Sequence, residues 1–187
     1  MISRVEALQL LFKYLKNDKM RKHCLAVEAI MRHLARRLGR DEATWGLVGL
    51  LHDLDYDLVG KDMKLHGAKA AELLKDALPG ELLDVIAGHN EYTGISPASE
   101  EGRVMVKALQ AADQASGLIV ATALVMPNKK LSEVRVESLL KKLKSKDFAR
   151  GVDRSKITGI EELGVPLQEF LRLSLEAMQE ISSQLGL

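Results

Sequence analysis

Apolar residues recur at intervals of three and four along almost the whole chain. Val5, Leu8, Leu11, Phe12 and Leu15 share one helical face, and Ser3 with Glu6 forms a capping box ahead of them. The same period predicts a helix over 19–38, stopped by Gly39. Another follows Asp41, a good N-cap, and carries Trp45, Val48 and Leu51 up to His52. DLDYDLVGKDMK (53–64) is polar and reads as a loop. Helices are predicted over 65–77, stopped by Pro79-Gly80, and over 81–89. NEYTGISPAS (90–99) is rich in turn formers. A long helix then runs over 100–126 to Pro127-Asn128, followed by helices over 132–144 and 166–185 with a short helical piece over 154–163. No stretch alternates with the period of a strand. The expectation is an all-α fold of about eight helices in one domain, 1–187. Residues 131–187 form an appended helical layer on a core of 19–125.

Several polar residues break this pattern on its buried side. His23 lies on the stripe of Val27, Ile30 and Leu34. His66 aligns with Ala70, Leu73 and Ala77, and His89 ends the stripe of Leu82, Val85 and Ile86. Asp113 aligns with Val106, Leu109 and Ile119 or Val120. The adjacent pair His52-Asp53 ends a helix. A lone histidine on an apolar face is usually a core residue with one hydrogen bond. Burying four imidazoles and two carboxylates together costs several kcal/mol for each unpaired group. A shared cation removes that cost, so the six residues read as metal ligands. Imidazole and carboxylate together suit a first-row divalent metal that keeps open positions for water or phosphate. His33 lies about 80° around the helix from His23, at roughly 100° per residue, and reads as exposed. Cys24 reads as core.

Bulk composition narrows the partners. Charged residues make up 28% of the 187 and leave a net charge of +1, which argues against a nucleic-acid polymer or a membrane as the main partner. Aromatic residues at 4% argue against stacking platforms for single strands. Cys24 is the only cysteine, so no intramolecular disulfide or thiolate-rich metal site can form. The start of the chain has no leader pattern, and the run GLIVATALVM (117–126) is too short to span a bilayer. A cytoplasmic protein is expected.

His23 in RKHCLAV, the pair in GLLHDLD, His66 in LHGAKAAELL, His89 in IAGHNEYTG and Asp113 in LQAADQASGL resemble the HD-domain metal-dependent phosphohydrolases. The resemblance runs over residues 19–125, and the tail is similar to that of a small bacterial group of predicted HD hydrolases. It implies an HD-domain helical bundle in which His23, His52, Asp53 and Asp113 hold one ion. His66 and His89 match the two extra histidines of members that bind two, with Asp53 bridging. Iron, manganese or another first-row metal fits, and magnesium is admitted. Thr93-Gly94-Ile95 stands where the cyclic-dinucleotide branch has Gly-Tyr-Pro, which argues against that substrate.

The implied activity is hydrolysis of a phosphomonoester or phosphodiester of a small metabolite or nucleotide by a metal-activated water. Asp53, Asp57 and Lys61 are the catalytic candidates. Lys61, Lys64, Asn90 and Arg103 are candidates for holding substrate, and Asp55, Glu91 and Lys107 are further neighbours. The run KKLKSK (141–146) reads as a solvated helix face. Two other readings stay open: a di-iron oxygenase, since HD-fold relatives such as inositol oxygenase use a similar site, and a non-catalytic metal-bound module, since the helical tail is unmatched by the family pattern.

Overall fold

Ser3 starts the first helix as its capping box dictates: its hydroxyl accepts the Glu6 N–H while the Glu6 carboxylate accepts the Ser3 N–H. The computed structural model describes residues 1–60 and 62–187. Among the described residues eleven α-helical segments follow in order: α1 (Arg4–Tyr14), α2 (Asp18–Leu38), α3 (Glu42–Leu51), α4 (Tyr56–Val59), α5 (Ala68–Leu73), α6 (Gly80–Gly88), α7 (Glu100–Leu124), α8 (Val136–Lys144), α9 (Arg154–Thr158), α10 (Leu167–Glu180) and α11 (Ser182–Leu185). Short 3₁₀ turns lie at Glu91–Thr93, Leu131–Glu133 and Gly159–Leu163. No strand occurs among the described residues. No described helix is long and apolar enough to cross a membrane.

α2 and α7 form the frame. Val27, Ile30, Met31 and Leu34 of α2 are fully buried, each contributing roughly 1.5–3 kcal/mol of apolar transfer. α3 crosses α2 closely at Gly49, where a Cβ would sit 2.9 Å from the Val27 carbonyl oxygen and 3.1 Å from Glu28 Cα. That approach brings the end of α3, with His52 and Asp53, against the His23 face of α2. α6 packs on α5 and α7, and α7 also meets α2. Beyond α7, α10 packs on α2, α7 and α8, with Phe170, Leu171, Ala177 and Met178 buried in the same cluster as α2. Glu28, buried on α2, accepts two hydrogen bonds from Arg4 at 2.6 and 2.9 Å and one from Arg32 at 3.1 Å, tying α1 to the frame.

Four local expectations are corrected. Residues 53–64 are not all loop: Tyr56–Val59 makes one helical turn. The expected helix over 65–77 is only α5, so His66 lies in the turn before it and off the stripe of Ala70 and Leu73. Pro127 is not what ends α7, which closes three residues earlier at Leu124. The last helix breaks at Ile181, whose backbone (φ −110°, ψ 16°) leaves the helical region.

His33 is half-buried rather than exposed, because α10 packs over it and its Nε2 lies 3.1 Å from a Glu180 carboxylate oxygen. His33→Ala is expected to cost about 1 kcal/mol or less, as for a pair with a solvated partner, and to leave metal content unchanged. A thermal melt and elemental analysis check both.

Candidate metal centre

His23 comes from α2, His52 and Asp53 from the end of α3, and His66 from the turn before α5. His89 comes from the end of α6 and Asp113 from the middle of α7. The structure brings all six together. His52, His66 and His89 point Nε2 at Asp53 Oδ1, at 3.2, 3.1 and 3.5 Å. His23 Nε2 faces Asp53 Oδ2 at 3.4 Å and Asp113 Oδ1 at 3.1 Å. The two Asp53 oxygens therefore face different histidines. His52 is completely buried and Asp53 nearly so, while the His23 and Asp113 side chains are 21% and 22% exposed. The centre opens to solvent on the His23–Asp113 side.

The opposite ring nitrogens fix the tautomers. At the ends of α3 and α6, His52 Nδ1 donates to the Gly49 carbonyl at 2.8 Å and His89 Nδ1 to that of Ile86, each three residues back. Both bonds also satisfy carbonyls that a helix end leaves open. His66 Nδ1 donates to Asp55 Oδ1 at 2.9 Å. The Ser116 hydroxyl donates to the Asp113 carbonyl at 2.7 Å and so accepts from His23 Nδ1 at 3.0 Å. Every Nδ1 is thus a donor, and every Nε2 lone pair is left for the centre.

That arrangement fits a cation. With neutral rings, four lone pairs face two carboxylates, and His52 Nε2 is a buried atom with no hydrogen-bond partner among the described residues. With all rings charged, four imidazolium groups crowd two anions. Either state is costly in a dry site. One atom from each of His23, His52 and Asp113, or from each of His52, Asp53 and His89, lies close enough together to hold an ion. The second group takes in His52, which lies between both sets, rather than His66.

Without a cation, protons on two of the histidines balance the carboxylates. Burial works against charge on His23, but hydrogen bonds and charge from Asp113 and Asp53 outweigh it and push its pKa up to about 10. His66, likewise opposed by burial, is pushed up to about 10 by Asp53 and Asp55. Burial would raise the Asp53 and Asp113 carboxyls, yet the surrounding histidines hold both below their ordinary range. Burial pushes the Cys24 thiol well up, so it stays a protonated core group.

In the metal-free protein, the stability from charged His23 and His66 is therefore full below their ordinary pKa of 6.5. It is lost as pH rises towards about 10. The depressed carboxyls act in acid, where their contribution disappears as pH falls through their lowered values. A metal competes for the same nitrogens. Loading near pH 7.5 is expected to release about two protons, and affinity should climb through this window. Calorimetry in buffers of different ionisation enthalpy measures the release, and no release would contradict the assignment of these nitrogens.

The other candidates are placed differently. Asp55, fully buried, orients His66 and accepts the Gly67 and Ala70 N–H groups at 2.7 and 3.0 Å. Gly67 has φ +85°, and a Cβ there would lie 3.0 Å from the Ile86 carbonyl oxygen. Asp57 is not brought in: its carboxylate accepts the Lys16 and Asn17 N–H groups at 2.6 and 3.0 Å, holding the α1–α2 turn. Asn90 is buried, with its amide donating to the Met63 and His66 carbonyls and its oxygen accepting the Tyr92 N–H. It fastens the His66 loop and has no donor left for substrate. Arg103 donates to the Pro97 and Ala98 carbonyls, and Lys107 pairs with Glu162. The Glu91 carboxylate lies 3.8 Å from Lys156 Nζ. Lys64 is exposed without an ion pair among the described residues. Lys61 lies outside the described residues.

Two contributors escaped the sequence reading. Ser116, three residues after Asp113, holds His23. The Gln114 amide donates to Asp113 Oδ2 at 2.7 Å while its oxygen accepts the Asp153 N–H at 2.7 Å. The only sequence signal for Ser116 is its helical offset from Asp113, and none exists for Gln114.

A family model described as HD domain matches residues 20–122, more than half of the chain. The match begins three residues before His23 and ends nine after Asp113, so it takes in all six converging residues. No curated protein and no solved structure matches the chain.

Proposed function

The chain belongs to the HD-domain family, most of whose members are metal-dependent phosphohydrolases, and from that premise we propose that it hydrolyses a phosphate ester of a small molecule. The observation that carries this reading is the convergence of four Nε2 lone pairs on Asp53, with that of His52 otherwise orphaned. His23, His52, Asp53 and Asp113 would hold one ion, and His66 and His89 with Asp53 a second. All donors are nitrogen or oxygen, which suits iron, manganese or another first-row metal. A bound cation supplies a water acidified towards neutral pH and screening of the phosphate charge.

The protein's own groups do the rest. Gly49, Ile86, Asp55 and Ser116 hold the four imidazoles in the tautomer that leaves Nε2 unprotonated. Gln114 engages Asp113 Oδ2, leaving Oδ1 to face His23. Leu51 and Leu54, both fully buried, flank the His-Asp pair and keep water from its inner side. Substrate approaches from the His23–Asp113 side, where the centre is exposed. The small net charge supports a small-molecule substrate rather than a polymer.

Chelator-treated protein, reloaded singly with iron(II), manganese, cobalt or magnesium, tests the proposal against phosphomonoesters and phosphodiesters. Phosphate release with at least one metal, lost on chelation and restored by reloading, is expected. Metal uptake without release from any ester would overturn the hydrolase reading.

A further inference from the structure

A cavity of about 460 Å³ opens beside the exposed edge of the metal centre, between α2 and α7. That volume lies in the range of small-molecule sites, about 300–1,000 Å³. At its inner end are His23 and the Ser116 hydroxyl that holds it. On α2 it is bordered by Lys19, Lys22, His23 and Ala26, which are offsets of three, four and seven and so one helical face. On α7 the facing positions are Gly117, Val120, Ala121 and Leu124, again offsets of three, four and seven, and Leu185 adds a further apolar wall.

The lining divides sharply by chemistry. Its charged side chains are the two lysines and the metal-centre histidine, all on the α2 wall. Lys19 is one helical turn from His23, and neighbouring side chains at that spacing are about 5–6 Å apart at Cβ. Among the described residues Lys22 pairs with exposed Asp18, at 3.2 Å, a contact that an incoming dianion can displace. The remaining walls are small or apolar. The hydroxyl of Ser116 is already engaged on both sides, so it offers nothing to a sugar or a base. A polar body would lose its water there without replacement. Leu124, half exposed at the mouth, extends the apolar wall outwards.

We infer that this cavity is the subsite for the leaving group, and that the substrate is a phosphate ester of an apolar alcohol, aryl or alkyl. The inference rests on the phosphohydrolase reading and adds to it the substrate class and two phosphate-binding residues. The phosphate sits at the His23 end, with Lys19 and Lys22 beside it, and the alcohol lies along α7 over Val120 and Ala121. Hydrolysis forms a P–O bond from water and breaks the P–O bond to the alcohol, which leaves carrying a proton from that water.

The test measures binding rather than turnover. n-Alkylphosphonic acids from methyl to octyl are titrated calorimetrically into metal-loaded protein. Affinity is expected to rise about fourfold per methylene until the cavity is filled. Ala121→Phe should flatten the series while leaving methylphosphonate unchanged. Leu124→Trp, at an exposed position that folding tolerates, should blunt the longer members if the Ala121 variant is unstable. Lys19→Ala with Lys22→Ala should weaken every member alike, by about tenfold or more. A flat series in the unaltered protein, a slope indifferent to both wall variants, or tighter binding of a nucleoside monophosphate than of octylphosphonate would overturn the inference. A graded series with no ester hydrolysed would sink the reaction and leave the subsite standing; hydrolysis with a flat series would do the reverse.

Discussion

Asp53→Ala is expected to remove bound metal and hydrolysis together while leaving the helical content in place. Asp53 is the one residue that all four Nε2 atoms face, within 3.1–3.5 Å. No neighbouring carboxylate can replace it. Asp113 faces His23 alone, and both oxygens of Asp55 are engaged by His66 and the start of α5. Affinity should fall beyond the roughly 10–100-fold that loss of an outer hydrogen-bond partner causes. His52→Ala should behave similarly, because His52 belongs to both groups of residues close enough to hold an ion. Helicity should survive, since the packing of α2, α3 and α7 comes from apolar residues that neither change touches. Elemental analysis and far-ultraviolet circular dichroism check the pair, with His33→Ala as the variant that keeps its metal. Full metal occupancy in Asp53→Ala would show that the centre is not built on these six residues.

The second large effect is expected at Asp55, a residue that need not touch metal or substrate. One of its oxygens accepts from His66 and the other from the Gly67 and Ala70 N–H groups. Gly67 has no side chain to cap α5, so Asp55 caps that helix from twelve residues away. Asp55→Ala would leave three buried donors unpaired, at about 1–3 kcal/mol each. A loss of about 3 kcal/mol or more follows, with His66 freed to turn. Asp55→Asn separates the two roles. Its amide oxygen can still accept from Gly67 and Ala70, so most stability should return. Its NH₂ group then faces His66 Nδ1, which must become the acceptor, and the ring proton moves to Nε2, facing Asp53. The Asn variant should melt close to the unaltered protein yet bind metal more weakly or with lower stoichiometry. A normal metal content in Asp55→Asn would show that His66 is not held as a ligand by this bond.

These two residues show how unevenly the centre can be read from the chain. His23 and Asp113 sit in helices of 21 and 25 residues, where the apolar stripe is long enough to tell which way a polar residue points. His66 has the inward aim expected of it for a different reason. It is in a turn, and Asp55 and the Asn90 clamp on the loop orient it. Asp57 shows the reverse failure. It lies four residues from Asp53, but the turn at Asp55 sends its carboxylate to the α1–α2 connection. Asn90 and Arg103 look polar and available in sequence, and both are occupied by backbone carbonyls.

The positions of α1, α2 and α3, the Ser3 and Asp41 caps and the inward aim of His23 and Asp113 were determined by sequence, because each depends on groups within about one or two turns of each other. Family membership followed from the order of those residues along the chain. Tertiary structure alone decided which nitrogen of His23 and of His66 is left unprotonated, which carboxylate caps α5, and which lysines stand beside the open edge of the centre. Those outcomes depend on contacts between residues eleven to ninety-three positions apart, and such contacts leave no periodic trace in the sequence. A hydrogen bond is set by where two backbones meet, and only the packing of α2, α3, α6 and α7 brings these together.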